Sequence, residues 1–349
     1  KRSDIMPSKM LNPSADGRSQ KWDVVKFVMI FLVVLGHAAD YYTGESELMR
    51  GFYIFIYSFH MPVFFFVSGL FSKRTVDEKR KEKVFGFILM YVFMKAVIFV
   101  TQLLAGKSPK FDLFSEGGFP WYLLAMAFFL VVTMLVKDFS PVYVLVFSVF
   151  LACLAGYDPN IGNFLCLSRV IVFYPFFYLG YALDRSKVER FCGGKIKKLL
   201  SAAIIIGLII FVVYKCDDVY WVRLLLTGRN SFLSLAPNTE NGFFFRLAYY
   251  ALVTLISCAV VILIPGKTPL GIAAKLGQRT LSVYVFHYVV FYCVYNVFEC
   301  KKVFAEWFPE YSEWLVIPLS LITTLILSSK ILNDLLLKIM NVPVKISKR

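Results

Sequence analysis

The chain has 349 residues, of which 58% are hydrophobic and 17% aromatic, whereas a water-soluble domain is apolar over roughly half its length. Its formal net charge of +15 would suit nucleic acid only if the basic residues formed a stripe on a soluble fold. They sit instead between apolar runs, so the charge is read as membrane topology and no nucleic-acid partner is expected. The apolar runs also lack the alternation of a membrane barrel, which leaves an all-α integral membrane protein.

Residues 1–22 contain Pro7, Pro13, Ser14, Gly17 and Ser19 and are read as a polar N-terminal tail. Hydropathy predicts ten spans, over 23–39, 52–71, 84–104, 119–136, 141–156, 167–183, 199–214, 245–264, 280–298 and 314–332. They make a single transmembrane domain, 23–332, without an internal repeat, followed by a basic tail over 333–349. The first apolar run has no small-residue cleavage site and is read as an uncleaved anchor. Lys and Arg concentrate in the N-terminal tail and in alternate connections, including Lys73-Arg74, Lys79-Arg80-Lys81-Lys83 and Lys195-Lys197-Lys198. That pattern predicts both termini on the cytoplasmic side. Trp121-Tyr122, Tyr220-Trp221 and Trp307 fall near the expected outer ends. The long outer connection, 215–244, holds Arg223, Arg229, Asn230, Asn238 and Asn241, and is read either as a solvated connector or as a lid over an external site.

Seven cysteines are scattered without a C-x-x-C pair or a histidine at metal spacing, so no metal site is read. Cys166, Cys216 and Cys300 fall in outer segments, where an oxidising compartment would permit a bridge.

The chain has three histidines, and His37, His60 and His287 all lie in apolar runs. An ionisable side chain at membrane depth is costly to desolvate and is functional more often than incidental. At about 1.5 Å per residue, His37 lies roughly 20 Å above the cytoplasmic end of its helix, and His60 roughly 12 Å below the outer end of its own. These depths are similar in a core of about 30 Å. His287 counts to only about 10 Å above the cytoplasmic end, which predicts a different level. Gly36 permits close helix approach, and Asp40 shares a helix face with His37, so its carboxylate can orient the ring of a general base. The plainer reading makes His37 a hydrogen-bonded structural residue. It makes His60 an accessory to a kink at Pro62, whose missing amide leaves the Ser58 carbonyl without a helical bond. Lys95, in the third span, and Arg169, at the outer start of the sixth, either snorkel, pair with a carboxylate or receive an anionic substrate. The basic connections set topology or hold a polyanion at the cytoplasmic mouth. There is no Walker loop, dinucleotide fingerprint, G-x-S-x-G or H-E-x-x-H.

Five motifs recur in one order: Lys21-x-Asp23-x-x-Lys26 ahead of Val33-Val34-Leu35-Gly36-His37; Ser58-Phe59-His60-Met61-Pro62 through Gly69; Pro120-Trp121-Tyr122-Leu123; Arg169 through Pro175 to Gly180; and Gly277-x-x-Thr280-Leu281-Ser282-x-Tyr284-x-x-His287. Together they resemble the acyltransferase-3 family of multi-span membrane acyltransferases. Lys21 stands where that family usually has arginine, and the segment after Gly69 lacks the family's Arg-Leu-x-x-Pro lead into the third span. The resemblance implies transfer of an acyl group, often acetyl, from cytoplasmic acyl-CoA to a hydroxyl or amine of an envelope carbohydrate or lipid-linked sugar. It implies a bacterial inner-membrane protein, able to form homo-oligomers, with acyl-CoA as co-substrate and no permanently bound cofactor. His37 would be the general base, with Asp40 and His60 beside it. Lys26, Lys95, Trp121, Tyr122, Arg169, Tyr284 and His287 would line the substrate and acyl-CoA path, Arg169 or Lys95 steadying the oxyanion. A transporter or binding module for a small polar solute such as an amino acid is the alternative, and a scaffold with a decayed site the third reading.

Overall fold

The computed structural model describes residues 20–116, 118–265 and 271–341. Among these residues the chain is helical, and its one β feature is an isolated bridge between Ser115 and Phe164. The helices are α1 (Gln20–Asp40), α2 (Glu47–Tyr57), α3 (His60–Leu70), α4 (Lys73–Asp77), α5 (Lys81–Leu104), α6 (Trp121–Val136), α7 (Pro141–Ala155), α8 (Leu167–Ala182) and α9 (Arg185–Phe191). They continue as α10 (Lys195–Val219), α11 (Arg223–Leu226), α12 (Gly242–Leu263), α13 (Ile272–Gly277), α14 (Thr280–Tyr292), α15 (Cys300–Trp307), α16 (Val316–Leu327) and α17 (Lys330–Met340).

Every predicted span falls on helix, but the helices are not ten equal crossings. Among the described residues, six stretches are long and apolar enough to cross a membrane: Gln20–Asp40, Glu47–Leu70, Lys81–Leu104, Lys195–Leu226, Thr239–Leu263 and Thr280–Val297. A seventh counts if α16 and α17, bent by 62°, are one broken span. The apolar helices α6, α7 and α8 have only 16, 15 and 16 residues, short of the ~20 that a 30 Å core asks for. Proline shapes all three, since Pro120 precedes α6, Pro141 opens α7 and Pro175 lies inside α8.

The second expected span, 52–71, is two helices with a break at Ser58 and Phe59. Pro62 sits in the first turn of α3, where a proline needs no amide partner, so the break falls just ahead of it. Residues 330–340, read in part as tail, form α17 with Asn333 and Leu336 buried. The expected N-terminal tail up to residue 19 and the last residues, 342–349, lie outside the described residues.

The contact of α3 with α8 positions the centre. A Cβ on Gly69 would collide with the Phe177 carbonyl, and one on Gly180 with the Phe66 carbonyl. Small residues at such a crossing let two backbones touch, which is how helices hold together in lipid. The long α1 packs beside α2, α3, α14 and α16 and is the axis of the bundle. We expect Gly69→Val or Gly180→Val to splay α3 from α8 and to destabilise the protein by about 3 kcal/mol or more. Thermal unfolding in detergent reads this, and an unchanged melting temperature would show that the crossing is dispensable.

Candidate active site

The last turns of α1 bring Gly36 and His37 against α2. A Cβ at Gly36 would meet the Tyr57 ring at 3.2 Å and Ile56 at 3.3 Å, so glycine lets α2 lie this close. His37 then sits among aromatic rings, with Phe119 at 4.4 Å, His287 stacked at 5.3 Å and Tyr57 edge-on at 6.5 Å. Tyr57 also meets the His60 ring edge-on at 4.7 Å. The level predicted for His287 is therefore corrected: it lies beside His37. Gln278 bonds Asp23 at 3.1 Å, and a Cβ on Gly277 would meet the Asp23 carbonyl and the Phe27 amide, so the chain enters α14 against the first turns of α1. The His37 side chain also tilts toward the start of α1, as helical side chains do.

Two histidines are held by nearby main-chain carbonyls, His60 across the break by one of α2 and His287 by two of its own helix. His60 Nδ1 lies 2.8 Å from the Ile56 carbonyl, and His287 Nδ1 lies 3.1 Å and 2.8 Å from those of Val283 and Tyr284. Carbonyl oxygens only accept, so Nδ1 carries the proton in both rings and Nε2 presents a lone pair. The buried Nε2 of His287 has no hydrogen-bond partner among the described residues.

His37 and His60 open on one cavity of about 270 Å³ at the Asp40 end of α1. Asp40, Trp121, Arg169, Arg229 and Tyr284 also line it. Arg169 is buried, donates from Nη1 to the Gly118 carbonyl at 3.3 Å and stacks on Trp121 at 4.8 Å. Asp40 stands nearer the mouth, and no hydrogen bond links its carboxylate to His37 among the described residues. It shares the helix face, as expected, one turn too far out to hold the ring.

A second cavity, about 310 Å³, opens at the other end of α1. Lys26, Lys83, Ser68, Tyr122 and Met340 are among its walls. Lys26 pairs with Asp23 at 2.7 Å, and Lys83 reaches Asn341 at 2.6 Å. Lys95 lines neither cavity: it pairs with the buried Glu116 at 3.0 Å and bonds the Ser115 carbonyl at 2.9 Å. Of the roles considered for Lys95, carboxylate pairing is the one the structure displays.

The connection 215–244 is folded rather than loose. It covers the His37 cavity with Leu226, Thr227 and Arg229. Arg246, buried in α12, donates to the Leu225 carbonyl at 2.7 Å, Ser168 donates to that of Gly228 at 2.8 Å, and the Phe232 amide bonds the Gly156 carbonyl at 2.6 Å. The segment is thus a pinned wall. On the outside of α2 and α10, Glu47, Cys216 and Asp217 bring ligand atoms within 4.8 Å of one another, but Arg50 already bonds both Asp217 oxygens, at 2.6 and 3.0 Å. All seven cysteines are free thiols.

A family model described as an acyltransferase domain matches residues 20–332, from the first turn of α1 into α17. The chain belongs to the acyltransferase-3 family. No curated protein and no solved structure matches it. The acyltransferase-3 match takes in the His37 cavity, the second cavity except for Met340, and each candidate residue named from sequence. Sequence reasoning missed Tyr53, Tyr57 and Phe119, which shape the His37 surroundings, and gave Arg229 no definite place. The two tyrosines stack at 3.8 Å, one helical turn apart, a spacing visible in the sequence but not distinguishable there from ordinary core packing.

Because Glu116 is buried against Lys95, we expect Glu116→Gln or Lys95→Met alone to destabilise by about 3 kcal/mol, and the double variant by less than either. Melting curves of the four proteins decide, and additive losses would show that the two charges do not interact.

Proposed function

We propose that this acyltransferase moves a short acyl group, acetyl in the simplest case, from cytoplasmic acyl-CoA to a hydroxyl or amine of an envelope carbohydrate or lipid-linked sugar. His37 is the general base. The observation that carries the reading is the pair of cavities at opposite ends of α1, one reaching His37 and the other bordered by Lys26 and Lys83. In this reading the chain crosses a bacterial inner membrane ten times, the three short helices and the bent α16–α17 pair included. Both termini lie on the Lys26 side, where the basic run 73–83 leads into α5.

The donor's phosphates rest against Lys26, Lys83 and that basic run, and its thioester arm lies in the cavity toward Tyr122. The acceptor enters past Asp40 and Arg229. An imidazole nitrogen of His37 takes the proton from the acceptor hydroxyl as its oxygen attacks the thioester carbonyl carbon. A C–O bond forms and the carbonyl pair moves onto oxygen, which the Arg169 guanidinium in the cavity wall steadies. The pair returns as the C–S bond breaks, and the proton passes from His37 to the departing thiolate. The products are an acylated acceptor and free CoA thiol. Transport of a small polar solute is the second reading, favoured by the same two cavities opening toward opposite faces.

Acetyl-CoA with envelope glycan extract tests the choice. The purified protein should release thiol only when both are present, and His37→Ala should reduce the rate by a factor of about 100 or more. A folded wild-type protein that neither binds acetyl-CoA nor releases thiol would sink the acyl-transfer reading in favour of transport.

A further inference from the structure

The two cavities approach each other at a pair of tyrosines. Tyr284 borders the His37 cavity and Tyr122 the Lys26 cavity, and their rings lie 5.3 Å apart. The two rings are held very differently. The Tyr284 hydroxyl donates to the Phe119 carbonyl and accepts the Tyr122 amide at 3.3 Å. Its own carbonyl takes the His287 ring at 2.8 Å. Tyr284 is tied at both ends.

The Tyr122 side chain packs on Phe65 at 5.0 Å and meets Phe64 edge-on at 5.3 Å, and its hydrogen bonding is confined to its tip. Its hydroxyl lies 2.9 Å from the Ser68 hydroxyl, which itself donates to the Phe64 carbonyl at 2.8 Å. Since the Ser68 proton is used on Phe64, Tyr122 donates in this pair. Ser68 therefore keeps a partner when Tyr122 leaves, so that opening orphans no buried group on α3. The ring also borders empty space of about 310 Å³ on the Lys26 side.

We infer that Tyr122 and Tyr284 form an internal gate between the donor and acceptor cavities, with Tyr284 the fixed leaf and Tyr122 the leaf that an incoming thioester arm swings aside. The need for a gate follows from membrane physics. A polar path open to both faces would conduct water and ions, whereas a thioester carbonyl must still reach His37 from the far side. A ring displaced by the arm itself meets both demands, because the arm fills the opening it makes. The inference takes its purpose from the acyl-transfer reading, but its test needs no donor.

The reporter is Val33→Cys in the His37 cavity, with Thr75→Cys, near Lys26, as the opposite-side control. Oriented proteoliposomes are treated on one face or the other with the membrane-impermeant reagent sodium (2-sulfonatoethyl) methanethiosulfonate. Peptide mass spectrometry reads the engineered site apart from the native thiols. With Tyr122 and Ser68 present, Val33→Cys should be modified predominantly from the Arg229 face, with a slow residual rate from the other, and Thr75→Cys predominantly from the Lys26 face. Tyr122→Ala should make Val33→Cys reactive from both faces. Ser68→Ala, which keeps the ring and removes its tether, should raise labelling from the Lys26 face about fivefold, the population shift expected for one neutral hydrogen bond. Equal labelling of Val33→Cys from the two faces with both Tyr122 and Ser68 intact would overturn the gate. So would a one-sided pattern that survives in the Ser68→Ala protein and in any folded Tyr122→Ala protein. A protein that releases no thiol from acetyl-CoA yet shows these labelling changes would retain the gate and lose the transferase reading.

Discussion

Backbone touches backbone where α3 crosses α8, and the centre of the protein depends on that contact. Lipid gives two apolar helices no hydrophobic reason to associate, so their spacing has to come from close packing. Gly69 and Gly180 each leave room for the other helix's carbonyl. One helix carries His60 and Ser68, and the other carries Arg169 near its start. The distance between the histidine region and the buried guanidinium is therefore set by the absence of two side chains.

The broken second span shows how structural and chemical demands meet in one residue. A carbonyl without a partner is expensive in hydrocarbon, and the break ahead of Pro62 disturbs the carbonyls around it. His60 adds one ring nitrogen to the Ile56 carbonyl, which also accepts the Phe59 amide at 3.3 Å, and so braces the kink. Its ring also borders the cavity. The plain and the functional readings of His60 are thus complementary, one nitrogen for each. His287 repeats the arrangement on α14 without any break, so the carbonyl contact is not merely a repair at a kink.

Much of this was legible in the sequence because the membrane imposes strong rules. Apolar runs marked the helices to within a few residues, Gly36 announced the close approach of α2, and the ordered motifs pointed to the family that the match over 20–332 establishes. Depth was less legible. Counting residues from each helix start put His37 and His287 on different levels, and only the packing of α14 on α1 shows their rings stacked at 5.3 Å. The partner of Lys95 was hidden for a similar reason, since Glu116 belongs to a connection that folds back onto α5. Nor does hydropathy distinguish a full crossing from a helix as short as α7. Length within the membrane depends on tilt, bends and neighbours, none of which a window average records.

The 62° bend between α16 and α17 changes what the Lys26 cavity is attached to. Met340, at the end of α17, is one of its walls, while Ile331 near the start of the helix and Leu335 in its middle are exposed. A short helix with apolar residues outside and a cavity wall at its tip is a lever resting on lipid. Changes in bilayer thickness or lateral pressure that tilt α17 will move Met340 and the Asn341 contact of Lys83 with it. The surrounding lipid therefore helps set the width of the cavity mouth, and detergent and native membrane are different mechanical environments for this end of the protein.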